Sequence, residues 1–156
     1  VGTDPATPEE LVAFGAMIDR WAASEAETNP MLLAVDHDAA ERRWYVRMKG
    51  DEKTTTTVWL TLRQRTLHYE TYFMPAPEEN VGACYEYLLR ANHGLFGMRF
   101  AIGPEDALYL VGQMPLGAID ADELDRIIGA SWAYSERYFR PAMAIGYASV
   151  FKPKAE

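Results

Sequence analysis

Three histidines, one cysteine and four serines are the residues of this chain best suited to acid–base, nucleophilic or metal chemistry, and their placement argues against all three. His37, His68 and His93 lie far apart, and none has a second ligand at the helical spacing that brings two side chains to one ion. Asp36-His37-Asp38 offers three donor types in a row. Adjacent side chains rarely converge on one cation, however, and the trio reads as a solvated turn. His68 alternates outward beside Glu70, where an imidazole titrates near neutrality, and reads as a polar position on a contact face. Cys84 falls on the apolar stripe of a helix and reads as core; a nucleophilic thiolate needs an open, electropositive place. Ser24, Ser131, Ser135 and Ser149 sit in no nucleophile elbow, and no glycine-rich turn ends in Lys-Ser or Lys-Thr. No catalytic residue, metal or cofactor is expected.

The elements that would position these groups are more informative than the groups themselves. Residues 55–63 and 65–73 read as paired strands with aromatic residues on both faces. Val58, Leu60 and Leu62 share one face with Leu67, Tyr69, Thr71 and Phe73; the other carries Thr57, Trp59, Thr61, Arg63, His68, Glu70 and Tyr72. An antiparallel sheet with one solvated face ordinarily shows small polar and charged side chains there. Large rings beside arginines mark a contact surface instead. Neighbouring strands extend it. Residues 43–49 put Trp44, Val46 and Met48 inward and Tyr45, Arg47 and Lys49 outward. Residues 97–102 put Met98, Phe100 and Ile102 inward and Arg99 outward, and residues 107–113 put Tyr109, Val111 and Gln113 outward. The candidate partner-binding residues are therefore Tyr45, Arg47, Trp59, Arg63, Tyr72, Arg99 and Tyr109.

Three helices complete the pattern. Thr7, Pro8 and Glu10 form a full start signal for the first, whose stripe is Leu11, Phe14, Ile18 and Trp21. Residues 78–92 read as the second, and residues 121–139 as the third, capped by Asp120 with Glu123 and bent or ended at Pro141. The order is helix, three strands, helix, two strands, helix, with only an interrupted strand tendency at 31–35. This is an α+β domain, an antiparallel sheet with helices on one face, spanning 1–156 as one unit with flexible ends at 1–6 and 152–156. Trp132, Tyr134, Tyr138 and Phe139 are too many rings for one helical stripe, and suggest that part of the third helix meets another chain as a homodimer.

Composition bounds the partners. A chain of 156 residues with net charge −8 is an acidic protein, unsuited to dedicated nucleic-acid binding. No apolar run reaches the ~20 residues that cross a bilayer, and a single cysteine suits a reducing cytoplasm. The leading expectation is a protein-binding module; the alternative is a small-ligand sensor with a pocket lined by Trp21, Trp44, Phe73 and Trp132.

The runs VWLTLRQRTLHYETYFMPAPEEN (58–80) and YEYLLRANHGLFGMRFAIGPEDALYLVGQMPL (85–116), with Leu124-Asp125-Arg126-Ile127-Ile128-Gly129 and Phe139-Arg140-Pro141, resemble the actinobacterial branch of the YbjN-domain proteins. The resemblance covers residues 43–148. It implies a fold like that of type III secretion chaperones, small acidic proteins, usually dimeric, that hold an extended segment of a partner. It also implies a regulatory role in sensory transduction or stress, and brings no catalytic residues with it.

Overall fold

The computed structural model describes residues 4–151, so of the ends read as flexible, 1–6 and 152–156, residues 1–3 and 152–156 lie outside the described residues. Helix α1 (Pro8–Thr28) begins as its sequence dictates. Thr7 Oγ1 accepts the Glu10 N–H at 3.2 Å, the Glu10 carboxylate accepts the Thr7 N–H at 3.1 Å, and Pro8 occupies the first turn, where its missing donor costs nothing. Four strands follow: β1 (Leu32–Asp38), β2 (Arg43–Lys49), β3 (Thr55–Leu62) and β4 (Thr66–Met74). Then come α2 (Val81–Asn92), β5 (Arg99–Ile102), β6 (Leu108–Pro115) and α3 (Ala121–Gly146). The strands form one antiparallel sheet in the order β1-β2-β3-β4-β6-β5. The α+β class and the antiparallel sheet stand as read, with six strands where five were expected.

The additional strand is β1, and it absorbs the supposed turn. Asp36, His37 and Asp38 pair with Tyr45, Trp44 and Arg43. The His37 ring lies flat on Trp44, 4.3 Å between centres and 7° between planes. Asp19 of α1 accepts the Trp44 indole N–H at 2.8 Å and lies 3.6 Å from His37 Nδ1. Stacking and pairing with a neighbouring strand outweigh the turn-like composition of the trio.

Both later helices depart from their expected ends for one reason. Glu78 and Glu79 precede α2 rather than begin it, because their N–H groups donate to the Gly146 carbonyl at 3.0 and 2.9 Å. Helix α3 continues through Pro141, burying Ala142 and Gly146. A Cβ at Gly146 would stand 2.8 Å from Pro77, so only glycine lets the end of α3 meet the approach to α2. That contact outweighs the hydrogen bond that Pro141 cannot donate.

The core lies between the helices and one face of the sheet. Trp44, Val46, Val58, Leu60, Leu67, Tyr69, Phe73 and Leu110 meet Ile18 and Trp21 of α1, Leu88 of α2 and Leu124, Ile127 and Ile128 of α3. Cys84 is buried there, and burial pushes its thiol up. The α3 rings, half-buried, find partners inside this chain. The Trp132 indole donates to the Lys49 carbonyl at 2.9 Å, and the Tyr134 hydroxyl accepts from the Phe96 N–H. Tyr138 packs on Phe100 and Tyr87, and Phe139 on Phe73. The strand end and the segment before β5 supply partners that no helical stripe reveals. The four residues expected to line one ligand pocket do not share a cavity: Trp44 borders hollows beside α1, Phe73 a hollow beside Lys53, and Trp132 one beside Asp125. Trp21, Trp44 and Phe73 are buried, held respectively by Asp125, by Asp19 and by Phe100 with Phe139.

Candidate functional site

Register assembles the open face. One row runs Asp36, Tyr45, Trp59, Glu70, Val111, Arg99 across all six strands, and a second joins Arg43, Thr61, His68 and Gln113. Tyr72 stands opposite Tyr109, and Arg47 opposite Thr57. Arg63 follows β3 immediately, where its N–H and the Thr66 carbonyl close the turn into β4 at 2.9 Å. The seven residues singled out from alternation therefore belong to one sheet surface, which no helix covers. Trp59 is 38% exposed and Tyr72 49%; Arg47, Arg63 and Arg99 are exposed, and Tyr45 and Tyr109 half-buried.

The rings are locked against each other rather than splayed. Tyr45 and Trp59 meet edge to face at 5.1 Å and 83°, Tyr72 and Tyr109 at 5.7 Å and 88°. Arg43 lies over the Trp59 ring at 4.9 Å, its Nε donating to Thr61 Oγ1 at 2.9 Å. Such contacts fix side chains in place before any partner arrives, which lowers the ordering cost of binding. His68 is held below its ordinary pKa by burial, then by Arg63 and Arg99, with Glu70 pulling the other way.

Beside Trp59 and Tyr72 the face dips into a hollow of about 430 Å³, with Lys53, Thr55 and Thr57 on one side and Phe139 at the back. The Lys53 ammonium donates to the carbonyls of Tyr72 and Phe73 at 2.9 and 2.7 Å and lies within 5.3 to 5.7 Å of the Tyr72, Phe73 and Phe139 rings. Burial pulls its pKa down to about 8, with Glu136 opposing. The Glu136 carboxylate also accepts the N–H groups of Asp51 and Glu52, fastening the β2–β3 turn to α3. In the sequence Lys53 is one basic residue among several between residues 42 and 53. Its place depends on the fold of the turn and on α3, for which the local sequence carries no signal.

A second exposed apolar surface lies at the other end. Tyr85, Leu88 and Leu89 of α2 face Phe100 and Ile102 of β5 across a groove of about 250 Å³. Ile102, assigned inward by alternation, is 54% exposed. Its parity is right, but β5 is the edge strand and no helix closes over its outer end. Among the described residues no cluster of His, Cys, Asp or Glu is arranged to hold a metal ion, and no helix is long and apolar enough to cross a membrane.

Known proteins share this architecture. The crystal structure of the ExsC–ExsE complex contains a chain that superposes with a TM-score of 0.57 at 16% identity, over 81% of this chain and 93% of that one. A weaker likeness, TM-score 0.47 and 20% identity, joins 81% of this chain to 97% of a chain in the ExoU–SpcU complex from the type III secretion system of Pseudomonas aeruginosa. At 16% identity the first likeness is one of fold, that of the matched chain in the ExsC–ExsE complex. The uncharacterized protein Rv0487 of Mycobacterium tuberculosis is 32% identical over 104 residues, 67% of this chain and 57% of that protein. ML2442 of Mycobacterium leprae is 30% identical over 107 residues, 69% of this chain and 58% of its own length. The match thus spans little more than half of these relatives. A family profile described as "Putative bacterial sensory transduction regulator" matches residues 16–142, and with that the chain belongs to the YbjN family.

Proposed function

We propose that this chain is a non-enzymatic, cytoplasmic protein-binding module, chaperone- or adaptor-like, serving regulation in stress or signalling. One observation carries the reading: Trp59 and Tyr72 stand exposed on a helix-free sheet face, pre-ordered by Tyr45, Tyr109 and Arg43 and flanked by Arg47, Arg63 and Arg99. Aromatic side chains with arginines around them are the side chains that dominate binding energy at protein interfaces. The ExsC–ExsE likeness supports the same reading, since that structure is itself a complex. A photo-crosslinking residue at position 72 captures the partner in cells, and Trp59→Ala removes the captured band, while Val12→Ala on the outer face of α1 leaves it. A band that survives Trp59→Ala undiminished overturns the assignment of this face.

The chain also pairs as a homodimer in this reading, through the groove between α2 and β5 rather than through α3. The outer edge of β5 is unpaired in the sheet, and Leu89, Phe96 and Ile102 lie exposed around it. Two such edges meeting about a two-fold axis satisfy the strand and cover the apolar residues together. Light scattering then gives twice the monomer mass, and Leu89→Glu with Ile102→Glu returns it to the monomer; a monomer mass for the unaltered chain at high concentration sinks this arrangement.

A further inference from the structure

We propose that the open face takes an acidic, extended protein segment, its carboxylates meeting Arg63 and Arg99 and its largest apolar side chain entering the hollow beside Trp59 and Tyr72. The inference rests on the protein-binding reading and adds the chemistry of the partner.

Charge complementarity carries it. The chain bears a net charge of −8, and three of its arginines are matched within it: Arg126 with Glu123, Arg140 with Glu52, Arg90 with Glu86. On the open face, Arg47, Arg63 and Arg99 have no carboxylate within salt-bridge distance among the described residues. Arginine is the side chain best suited to fork onto a carboxylate, and three of them left unmatched in an acidic chain call for anionic groups from outside. Arg63 and Arg99 stand three strand spacings apart across the sheet, ~14 Å, and four residues apart along it, Arg63 beside Thr66 and Arg99 on the Glu70 row. Glu70, on β4 in the row of Trp59 and Arg99, repels a carboxylate placed over the centre of the face and so directs acidic groups to the arginines.

The ring geometry selects protein over nucleic acid. Single-stranded nucleic acid needs ring faces on which bases stack. Here both aromatic pairs are edge to face, Arg43 lies over Trp59, and Lys53 lies 5.6 Å from the centre of Tyr72. What remains is an apolar hollow with ring walls, which fits an inserted side chain.

His68 supplies a built-in reporter. The groups around it are Arg63 after β3, Glu70 on β4, Gln113 on β6 and Arg99 on β5. A carboxylate brought to Arg63 and Arg99 offsets their repulsion of the imidazolium, so the bound complex takes up a proton more readily than the free protein. Affinity therefore strengthens as pH falls from 7 toward 6.

The test uses fluorescence anisotropy with the full chain and three labelled probes. One is a synthetic peptide of about 15 residues carrying Glu and Asp around a central Trp; the second is its Gln and Asn counterpart; the third is an oligothymidine of similar length. The acidic peptide binds about tenfold more tightly than the amide version, and Arg63→Gln with Arg99→Gln abolishes the difference. The His68 imidazole signals in proton NMR titrate at higher pH with the acidic peptide present, and Trp59→Ala weakens both peptides. Equal affinity for the two peptides, or tighter binding of the oligothymidine, overturns the inference. If crosslinking from position 72 still captures a partner dependent on Trp59, the protein-binding reading survives that failure; if no such partner is captured, the reading falls with it.

Discussion

Trp44 and Trp59 stand on adjacent strands of one sheet and do opposite work. Trp44 points under α1, buried, its indole N–H held by Asp19 and its ring covered by His37. Trp59 points to the opposite face, its ring held by an edge-to-face contact with Tyr45 and by Arg43 over it. The inward face is dry and filled by side chains from three helices, so its composition answers to packing. The outward face keeps large rings and unmatched arginines that contribute little to folding. A large ring left exposed beside three arginines marks a contact surface rather than a packing one.

Exchanging the treatment of the two tryptophans breaks the comparison most directly. Trp44→Ala opens a cavity beneath α1 and orphans Asp19, and should cost ~3–5 kcal/mol in urea unfolding. A loss as small as that of a surface mutant would mean that the inward face is not the core. Gly112 probes the same face, since an added Cβ would meet the Gly97 carbonyl and the Tyr69 ring, both at 2.4 Å. Gly112→Ala should destabilise by ~1–3 kcal/mol, whereas Val111→Ala, one residue along and facing outward, should cost clearly less.

Lys53 sharpens the boundary between the faces through pH. Its folded pKa of about 8 lies below the ordinary 10.5, so the unfolded chain binds the extra proton between those values and stability rises with pH across that window. Between pH 8 and 10 the unaltered protein should gain on the order of 1–2 kcal/mol relative to Lys53→Met, read from parallel urea titrations. A constant difference would place the ammonium in solvent. Thr71 tests dryness from the other side: its hydroxyl is buried without a partner among the described residues. Thr71→Val should therefore raise stability by about 1 kcal/mol, and a loss of that size would reveal an unrecognised hydrogen bond. Trp59→Ala has the smallest effect on folding, under ~1 kcal/mol by thermal melting, while abolishing partner capture. A large fall in melting temperature would move Trp59 into the core and remove the contrast.

Much of the site was legible because alternation is a property of two consecutive residues and needs no knowledge of the fold. Tyr45, Trp59 and Tyr72 were assigned outward from parity alone, and register places them with Arg99 and Tyr109 on one surface. What parity cannot state is which strand lies at an edge. Ile102 shows the consequence, since its inward direction leads to solvent. The trio Asp36-His37-Asp38 shows another, because its strand exists through Trp44 and Asp19, neither of them local to it.

By itself, then, the amino-acid order determined the start of α1, the two faces of each strand, the α+β class and the aromatic and cationic character of the uncovered side. These follow from hydrogen-bonding and steric rules that act within a few residues. Only the tertiary structure decided that β6 lies between β4 and β5, that α3 runs through Pro141 to dock on Pro77, and which residues its rings meet inside the chain. It also placed Lys53 in the hollow that borders Trp59 and Tyr72. Each of these depends on which distant segments share a boundary. That is settled by the competition for buried apolar area over the whole chain, and no short window of sequence contains it.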